Sequence, residues 1–274
     1  VNAHDAETGR ELWRFYTIPG AGEPGSETWG GHPADFSGGA TWMTGSYDAD
    51  LDLIYWGVGN PAADFYGGSR KGDNLYTDCV IALNPDSGEL KWYFQQVPHD
   101  VWDWDAAYES VLLDLVVKGR KRKLLLNTNK GGYTFVVDRT DGSFVSAWPV
   151  AENINWITGV DEKGRLVGRK EPVVGKSTLI CPSIGGGRQW NQGTYSPQTG
   201  WYYTTGIEWC QDVVAKEEEP VEGLNFFGGA FKMRPLPKGE SHGHLDAYDP
   251  VTGNKYWSYR SKYPLLASLL GTAG

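Results

Sequence analysis

A short motif recurs along the chain and restricts the fold more than any other feature of the sequence. The pattern Ala-x-Asp-x-x-Thr-Gly-x-x-x-Trp occupies residues 3–13 and 247–257, and a variant with Asn and Ser occupies residues 82–92. A weaker copy begins at Val136, and its Trp148 is displaced by two positions. The Asp or Asn opens a turn and the glycine adopts the left-handed conformation. Each copy therefore predicts a β-hairpin with a tryptophan on its second strand.

Hairpins of a second type, without the terminal tryptophan, lie between these copies, at residues 47–57, 123–137 and 195–204. Alternation of two hairpin types is typical of four-stranded β-propeller blades, with each tryptophan packed between neighbouring blades. We therefore predict an all-β chain of about three to four blades, without long amphipathic helices. The acidic run at 216–220 is predicted to be a surface loop insertion and the basic run at 120–123 a hairpin turn.

Charge and composition exclude other classes of protein. The chain has 25 Lys and Arg against 34 Asp and Glu, a net charge of −9, which argues against a nucleic-acid partner. It also lacks an uninterrupted apolar stretch long enough to span a membrane. The chain begins at Val1 without an initiator Met or a signal peptide, and it stops within an apolar segment. Residues 1–274 are therefore expected to form one partial propeller domain, truncated at both ends.

The segment at residues 98–105 is the most informative for chemistry. If it is extended, Asp103 and Asp105 project to the same side. Two carboxylates held together repel each other unless a cation or a shared proton lies between them. A hard metal ion is the natural partner, and aspartates in a surface turn are the alternative.

Further segments are ambiguous when taken singly and indicate a function only when they are considered together. Taken alone, Asn60 lies in a turn sequence, Trp42 is a candidate core residue and Lys130 a candidate surface residue. Together with residues 72–77 and 98–103, they occur in the order found in pyrroloquinoline quinone (PQQ)-dependent alcohol dehydrogenases of the methanol and ethanol dehydrogenase type. The chain resembles this quinoprotein family over essentially its whole length.

The resemblance implies an eight-bladed propeller that holds PQQ and a metal ion on its axis, and it suggests a role for each residue. Trp42 resembles the indole on which the quinone stacks, and Lys130 the cation that bonds the quinone oxygens. Asn60 resembles a metal ligand, and Asp103 resembles the catalytic base and a further metal ligand. The implied reaction is oxidation of a primary alcohol to an aldehyde, in which a carboxylate removes a proton as hydride passes to the quinone.

Asp105 bears on the identity of the metal. A carboxylate two positions after the base resembles the lanthanide-dependent branch of the family, and an added anionic ligand favours a more highly charged cation. A lanthanide ion is therefore expected at Asn60, Asp103 and Asp105, with calcium as the alternative. The family's acidic metal ligand and its adjacent-cysteine disulfide would precede Val1, so the isolated chain is expected to be inactive.

The resemblance also implies a compartment and partners. The sequence has three cysteines, Cys79, Cys181 and Cys210, and the residues alone leave their pairing open. The family pattern implies a Cys181–Cys210 disulfide and hence a periplasmic location, with Cys79 expected to be a buried free thiol. A small alcohol is the implied substrate and a cytochrome c the implied electron acceptor, while a homo-oligomer is possible. No Cys-x-x-Cys-His sequence for a c-type haem occurs in the chain.

A non-catalytic scaffold is the competing interpretation. Propeller lipoproteins of outer-membrane assembly share the docking hairpins but bind protein partners and no quinone. The combination of Trp42, Asn60, Asp103 and Lys130 favours the enzyme, because a pure scaffold does not require it. A metal site at residues 242–244 is disfavoured because further ligands at a recognisable spacing are absent from the sequence.

Overall fold

The computed structural model describes residues 1–30, 38–234 and 239–272, and these residues form an all-β structure with a 3-10 turn at Ser26–Trp29. In chain order, the strands are β1 (Asn2–His4), β2 (Glu11–Arg14), β3 (Ser46–Asp48), β4 (Leu53–Gly57), β5 (Cys79–Leu83), β6 (Leu90–Gln95), β7 (Val111–Val117), β8 (Arg120–Thr128), β9 (Tyr133–Asp138), β10 (Phe144–Pro149), β11 (Gly159–Val160), β12 (Leu166–Val167), β13 (Ser177–Ile180), β14 (Thr194–Ser196), β15 (Trp201–Ile207), β16 (Cys210–Ala215), β17 (Gly229–Arg234), β18 (Gly243–Tyr248) and β19 (Lys255–Ser261). Among the described residues, no helix is long and apolar enough to cross a membrane.

The strands form three complete blades. Two are simple antiparallel meanders, in the orders β3-β4-β5-β6 and β7-β8-β9-β10, and the third has the order β14-β15-β18-β19. The β1–β2 pair adds a two-stranded sheet before them, and β11–β12 form a small separate pair. The prediction of a partial propeller with three to four blades is confirmed.

An excursion interrupts the third blade. β16 and β17 lie between β15 and β18 in sequence, and they pair with β13 in a separate three-stranded sheet. The acidic run falls in the loop between β16 and β17, as predicted. A disulfide joins Cys181, directly after β13, to Cys210, the first residue of β16. Cys79 is a buried free thiol on β5.

The basic run does not form the turn that the sequence suggested. Residues 120–123 lie on β8, paired with β7, and the turn is made by Lys118 and Gly119. Both turn residues have positive φ, 50° and 76°, which suits a tight two-residue hairpin connection. Two of the basic side chains on this strand have acidic partners: Arg122 contacts Asp138 at 3.0 Å, and Lys123 contacts Asp50 at 2.6 Å.

The repeated tryptophans pack against glycines of the next hairpin motif. At each such glycine, a Cβ atom would lie within 2.6 Å of the indole, so only glycine admits the ring. The pairs are Trp13 with Gly88, Trp92 with Gly142, and Trp148 with Gly253. The displaced Trp148 thus makes the same contact as the regular copies. This contact explains why the motif couples a glycine to a tryptophan.

His244 on β18 is fully buried between two carboxylates. Its Nε2 lies 2.9 Å from Glu208 Oε1, and its Nδ1 lies 2.7 Å from Asp246 Oδ2. Burial alone lowers the pKa of the imidazole, but Asp246 and Glu208 outweigh burial and raise the pKa to about 9. Lys255 on β19 also contacts Asp246, at 2.9 Å. This cluster ties the third blade to the connection between β15 and β16.

The packing of Trp148 on Gly253 predicts a specific cost for a methyl group. Gly253→Ala and Gly200→Ala both place alanine at a φ near +72°, and a Cβ would lie 2.3 Å from Trp148 only at Gly253. Both variants should lose about 1–2 kcal/mol of unfolding free energy through the left-handed backbone. Gly253→Ala should lose about 1–3 kcal/mol more through overpacking. Urea unfolding measures both, and equal losses would contradict the docking role.

The His244 cluster predicts a pH-dependent stability. Because the folded pKa of about 9 lies above the value of about 6.5 for a free histidine, the stabilisation is complete below about pH 6.5 and is lost as the pH rises through about 9. His244→Gln should therefore lower Tm most at about pH 6, and the difference from wild type should narrow by about pH 9.5. Thermal unfolding across this range measures the effect, with the exposed His4→Gln as control. A difference that stays constant with pH would disprove this linkage.

Candidate active site

The predicted site residues lie on connections between strands, and the fold brings them together. Trp42 precedes β3, Asn60 follows β4, Asp103 and Asp105 follow β6, and Lys130 connects β8 to β9. The first complete blade therefore supplies the tryptophan and the amide. The connection to the second blade supplies the carboxylates, and the second blade supplies the ammonium group. Loops on a rigid β scaffold commonly carry function in this way.

Lys130 pairs with both predicted carboxylates. Its Nζ lies 2.7 Å from Asp103 Oδ2 and 2.8 Å from Asp105 Oδ2. The three side chains are only 5%, 12% and 4% exposed, respectively. The Lys130 backbone N–H also donates to Trp104 O at 2.9 Å, so main chain and side chain both join the two loops.

The two carboxylates converge for a different reason from the one the sequence suggested. The segment is not extended, because Asp103 and Asp105 have φ values of 66° and 32°. Aspartate tolerates this left-handed region better than most residues. The backbone thus turns at each aspartate, and both side chains reach Lys130 without forming a strand.

Asp100 holds this turn in place, and sequence reasoning did not identify it as a site residue. One of its carboxylate oxygens accepts the backbone N–H of Trp102 at 2.9 Å, and the other accepts that of Trp104 at 2.6 Å. The Trp104 ring packs against Trp156, whose Nε1 donates to Gly131 O beside Lys130. An aspartate shortly before a turn is the local signal that could have indicated this role.

Trp42, Gly59 and Asn60 form the adjoining part of the site. A Cβ atom at Gly59 would lie 2.6 Å from the Trp42 ring and 2.9 Å from Asp105 Oδ1, so this position requires glycine. The Asn60 backbone N–H donates to Asp105 Oδ1 at 3.0 Å. Trp42 packs edge-on against Trp190, yet 45% of its surface is exposed. The site therefore presents an open indole beside buried charge.

Buried acidic groups are concentrated around Lys130. Burial raises the pKa of Asp103 well above its ordinary value, nearby Asp105 and Asp64 raise it further, and Lys130 opposes this rise. Burial also raises the pKa of Asp64 to about 6. Asp78 is fully buried, and its carboxylate oxygens have no hydrogen-bond partner in the described part of the chain. A cation entering this region would be favoured by the surrounding charge.

The donor set fits a hard cation. Across residues 1–30, 38–234 and 239–272, no three His, Cys, Asp or Glu side chains form a group that could hold a metal ion. The predicted set instead combines the carboxylates of Asp103 and Asp105 with the amide of Asn60, and oxygen ligands of this kind suit calcium and larger hard ions. The Asn60 amide donates through both N–H groups, to Asp64 Oδ1 and Pro61 O, which leaves Oδ1 available as a ligand.

Comparison with known proteins assigns this arrangement to a family. Residues 1–155 match the PQQ family of glucose, ethanol and alcohol dehydrogenase β-propeller domains. The chain belongs to this quinoprotein family. All five predicted site residues lie within the matched region: Trp42, Asn60, Asp103, Asp105 and Lys130.

Individual relatives support this assignment. The chain is 32% identical to the quinoprotein alcohol dehydrogenase PedH of Pseudomonas putida, covering all of the chain and 50% of the relative. It is 30% identical to a lanthanide-dependent methanol dehydrogenase of Methylacidiphilum fumariolicum, covering all of the chain and 49% of that protein. A europium-containing methanol dehydrogenase superposes with a TM-score of 0.88 at 31% identity, over 96% of this chain and 50% of that structure. The chain thus spans about half the length of these quinoproteins.

The buried ion pairs predict a large effect of removing Lys130. Lys130→Met should lower the unfolding free energy by about 3–5 kcal/mol, because two buried carboxylates lose their counter-ion. Adding Asp105→Asn should restore part of this loss. The matched control is Lys91→Met, since the exposed Lys91–Glu89 pair should contribute only about 0–1 kcal/mol. Urea unfolding without added metal measures these values, and similar losses for both lysines would contradict the assignment.

Proposed function

We propose that the whole protein oxidises a primary alcohol to an aldehyde, with PQQ and a metal ion as cofactors. The observation that carries the proposal is the contact of Lys130 with Asp103 and Asp105, next to the free amide oxygen of Asn60 and the exposed indole of Trp42. Bound PQQ would supply a hydride acceptor, and a bound metal ion would supply Lewis-acid chemistry at the quinone. Membership of the quinoprotein family and the names of its relatives support this function.

In this proposal, Asp103 is the general base. Its raised pKa makes the ionised carboxylate a stronger proton acceptor for the alcohol hydroxyl than an exposed aspartate. The Lys130 ammonium group, 2.7 Å away, attracts the negative charge and so opposes this rise in the pKa of Asp103. Burial keeps water away from the carboxylate and so strengthens its attraction to the ammonium group.

The remaining residues bind and orient the cofactors. The exposed Trp42 face offers a flat apolar surface for the quinone, and Lys130 supplies a hydrogen-bond donor to its oxygens. Asn60, Asp103 and Asp105 provide oxygen ligands for the metal ion. We propose a lanthanide ion rather than calcium, because the second carboxylate adds negative charge to the ligand set.

We also propose a periplasmic location, with a cytochrome c as electron acceptor. The Cys181–Cys210 disulfide supports the location, since disulfides persist in oxidising compartments. The acceptor follows from the family resemblance. Detection of the protein in a periplasmic extract, and reduction of cytochrome c during alcohol oxidation, would test the two points separately.

Activity with defined metals tests the proposed function. Dye-linked alcohol oxidation by the whole protein should appear after incubation with PQQ and lanthanum, and Asp103→Asn should lower kcat by about 10²–10⁴-fold because the base is lost. Asp86→Asn, on an exposed hairpin turn, is the control and should retain activity. Activity with calcium alone would contradict the metal assignment. If the protein shows no activity and binds no quinone with either metal, the result would favour a scaffold that binds protein partners.

A further inference from the structure

We propose that Asp64 is a positioning residue, which fixes the Asn60 side chain so that its amide oxygen, rather than its nitrogen, faces the metal ion. This inference rests on the proposed function, because it takes Asn60 as a metal ligand. Asp64 lies outside the residues that the family resemblance indicated. Its role follows from contacts in the loop between β4 and β5.

The hydrogen bonds of Asn60 select one orientation of its amide. Asn60 Nδ2 donates to Asp64 Oδ1 at 3.0 Å and to Pro61 O at 3.3 Å. Both acceptors lack a hydrogen to donate when Asp64 is ionised. A flipped amide would therefore place its oxygen against two other oxygens and lose both hydrogen bonds. The orientation of an asparagine amide is decided by such a network, and here it leaves Oδ1 free.

The backbone of Asn60 is fixed independently of this amide. Its N–H donates to Asp105 Oδ1 at 3.0 Å, so one predicted metal ligand positions the main chain of another. Asp64 then restricts the rotation of the side-chain amide, which the backbone hydrogen bond leaves free. Partners of this kind, which orient a ligand without binding the metal themselves, commonly affect metal affinity.

Asp64 is itself held by the excursion from the third blade. The N–H of Phe65 donates to Phe227 O at 2.8 Å. Gly228 has a φ of +65°, and a Cβ atom there would lie 2.7 Å from the Cβ atoms of both Ala63 and Tyr66. The loop that carries Asp64 thus packs tightly against the residues that precede β17. The position of the loop is thus held by tertiary contacts of the residues on either side of Asp64.

Metal binding measured without turnover tests the proposal. Tb³⁺ luminescence, sensitised by the nearby tryptophans, gives a dissociation constant for the PQQ-loaded whole protein. Asp64→Ala should weaken Tb³⁺ binding by about 10–100-fold, because the amide loses its orientation. Asp64→Asn should recover most of the affinity, since it retains an acceptor oxygen. Asp86→Ala, with the same loss of charge on an exposed turn, should leave the affinity unchanged.

Two results would overturn the positioning role. Wild-type affinity in Asp64→Ala would show that the amide does not need this partner. Equal losses in Asp64→Ala and Asp64→Asn would show that Asp64 acts through its charge rather than its hydrogen bond.

A double-mutant cycle separates this inference from the proposed function. The unfolding free energies of Asn60→Ala, Asp64→Ala and the double variant, measured without metal, should be non-additive because the two side chains are in contact. If the wild-type protein binds neither Tb³⁺ nor calcium, the proposed function fails. The cycle then still decides whether Asp64 holds the amide, and additive losses would refute that contact.

A substitution outside the Asn60–Asp64 pair provides a further test of the positioning role. Gly228→Ala should displace the loop that carries Asp64, and so should weaken Tb³⁺ binding in the same direction as Asp64→Ala. Gly223→Ala is the matched control, because Gly223 also has positive φ but nothing lies within 4 Å of its Cβ position. Weakened binding in the control to the same degree would refute the specific link between Gly228 and Asp64.

Discussion

A buried ammonium group between two buried carboxylates is the interaction on which the site depends. Each of these groups costs several kcal/mol to remove from water when it is alone. Lys130, Asp103 and Asp105 offset this cost for one another only while their loops stay together. The hydrogen bonds that the Asp100 carboxylate accepts and the packing of Trp104 on Trp156 keep the loops together. The ion pairs of the site therefore depend on the packing that holds these loops together.

Repeated packing of tryptophan on glycine between the blades supports these loops. Each glycine that receives an indole fixes the spacing between neighbouring sheets, because no larger residue leaves room for the ring. Rigid spacing of the sheets in turn fixes the ends of the loops. The loops can then adopt left-handed conformations, as at Asp103 and Asp105, without being free to relax. The regular packing between blades thus holds the irregular loops of the site in place.

The sequence predicted those parts of the structure that local chemistry determines. Hairpins and blades follow from short motifs, in which turn residues and strand residues are neighbours along the chain. The basic run was placed wrongly because Lys118 and Gly119 form the turn just before it, and acidic residues from other strands stabilise its charges. The disulfide could be inferred only from resemblance, because Cys181 and Cys210 meet through the pairing of β13 with β16.

At the candidate site too, features that depend on contacts distant in sequence could not be predicted from local patterns. The sequence itself pointed to Asp103 and Asp105, whereas Trp42, Asn60 and Lys130 were indicated by resemblance to the family, and the fold brings all five together. The sequence did not indicate Asp64 or Asp100, because their roles depend on loop conformations that carry no periodic pattern. It also suggested an extended segment at Asp103, where tertiary contacts impose a turn. Residues that hold loop conformations are therefore harder to find from sequence than the candidate site residues that those loops carry.

The excursion of β16 and β17 has a consequence for how the molecule folds. In arrays of repeats, each unit contacts only its neighbours, and stability is roughly a sum along the array. Here the bond from Phe65 N–H to Phe227 O joins the first complete blade to an insertion in the third, across most of the chain. Contacts between such distant residues form late and slow folding. We therefore expect the loop beside Asn60 to acquire its final shape only once the insertion in the third blade is in place, whereas the blades themselves can assemble in succession.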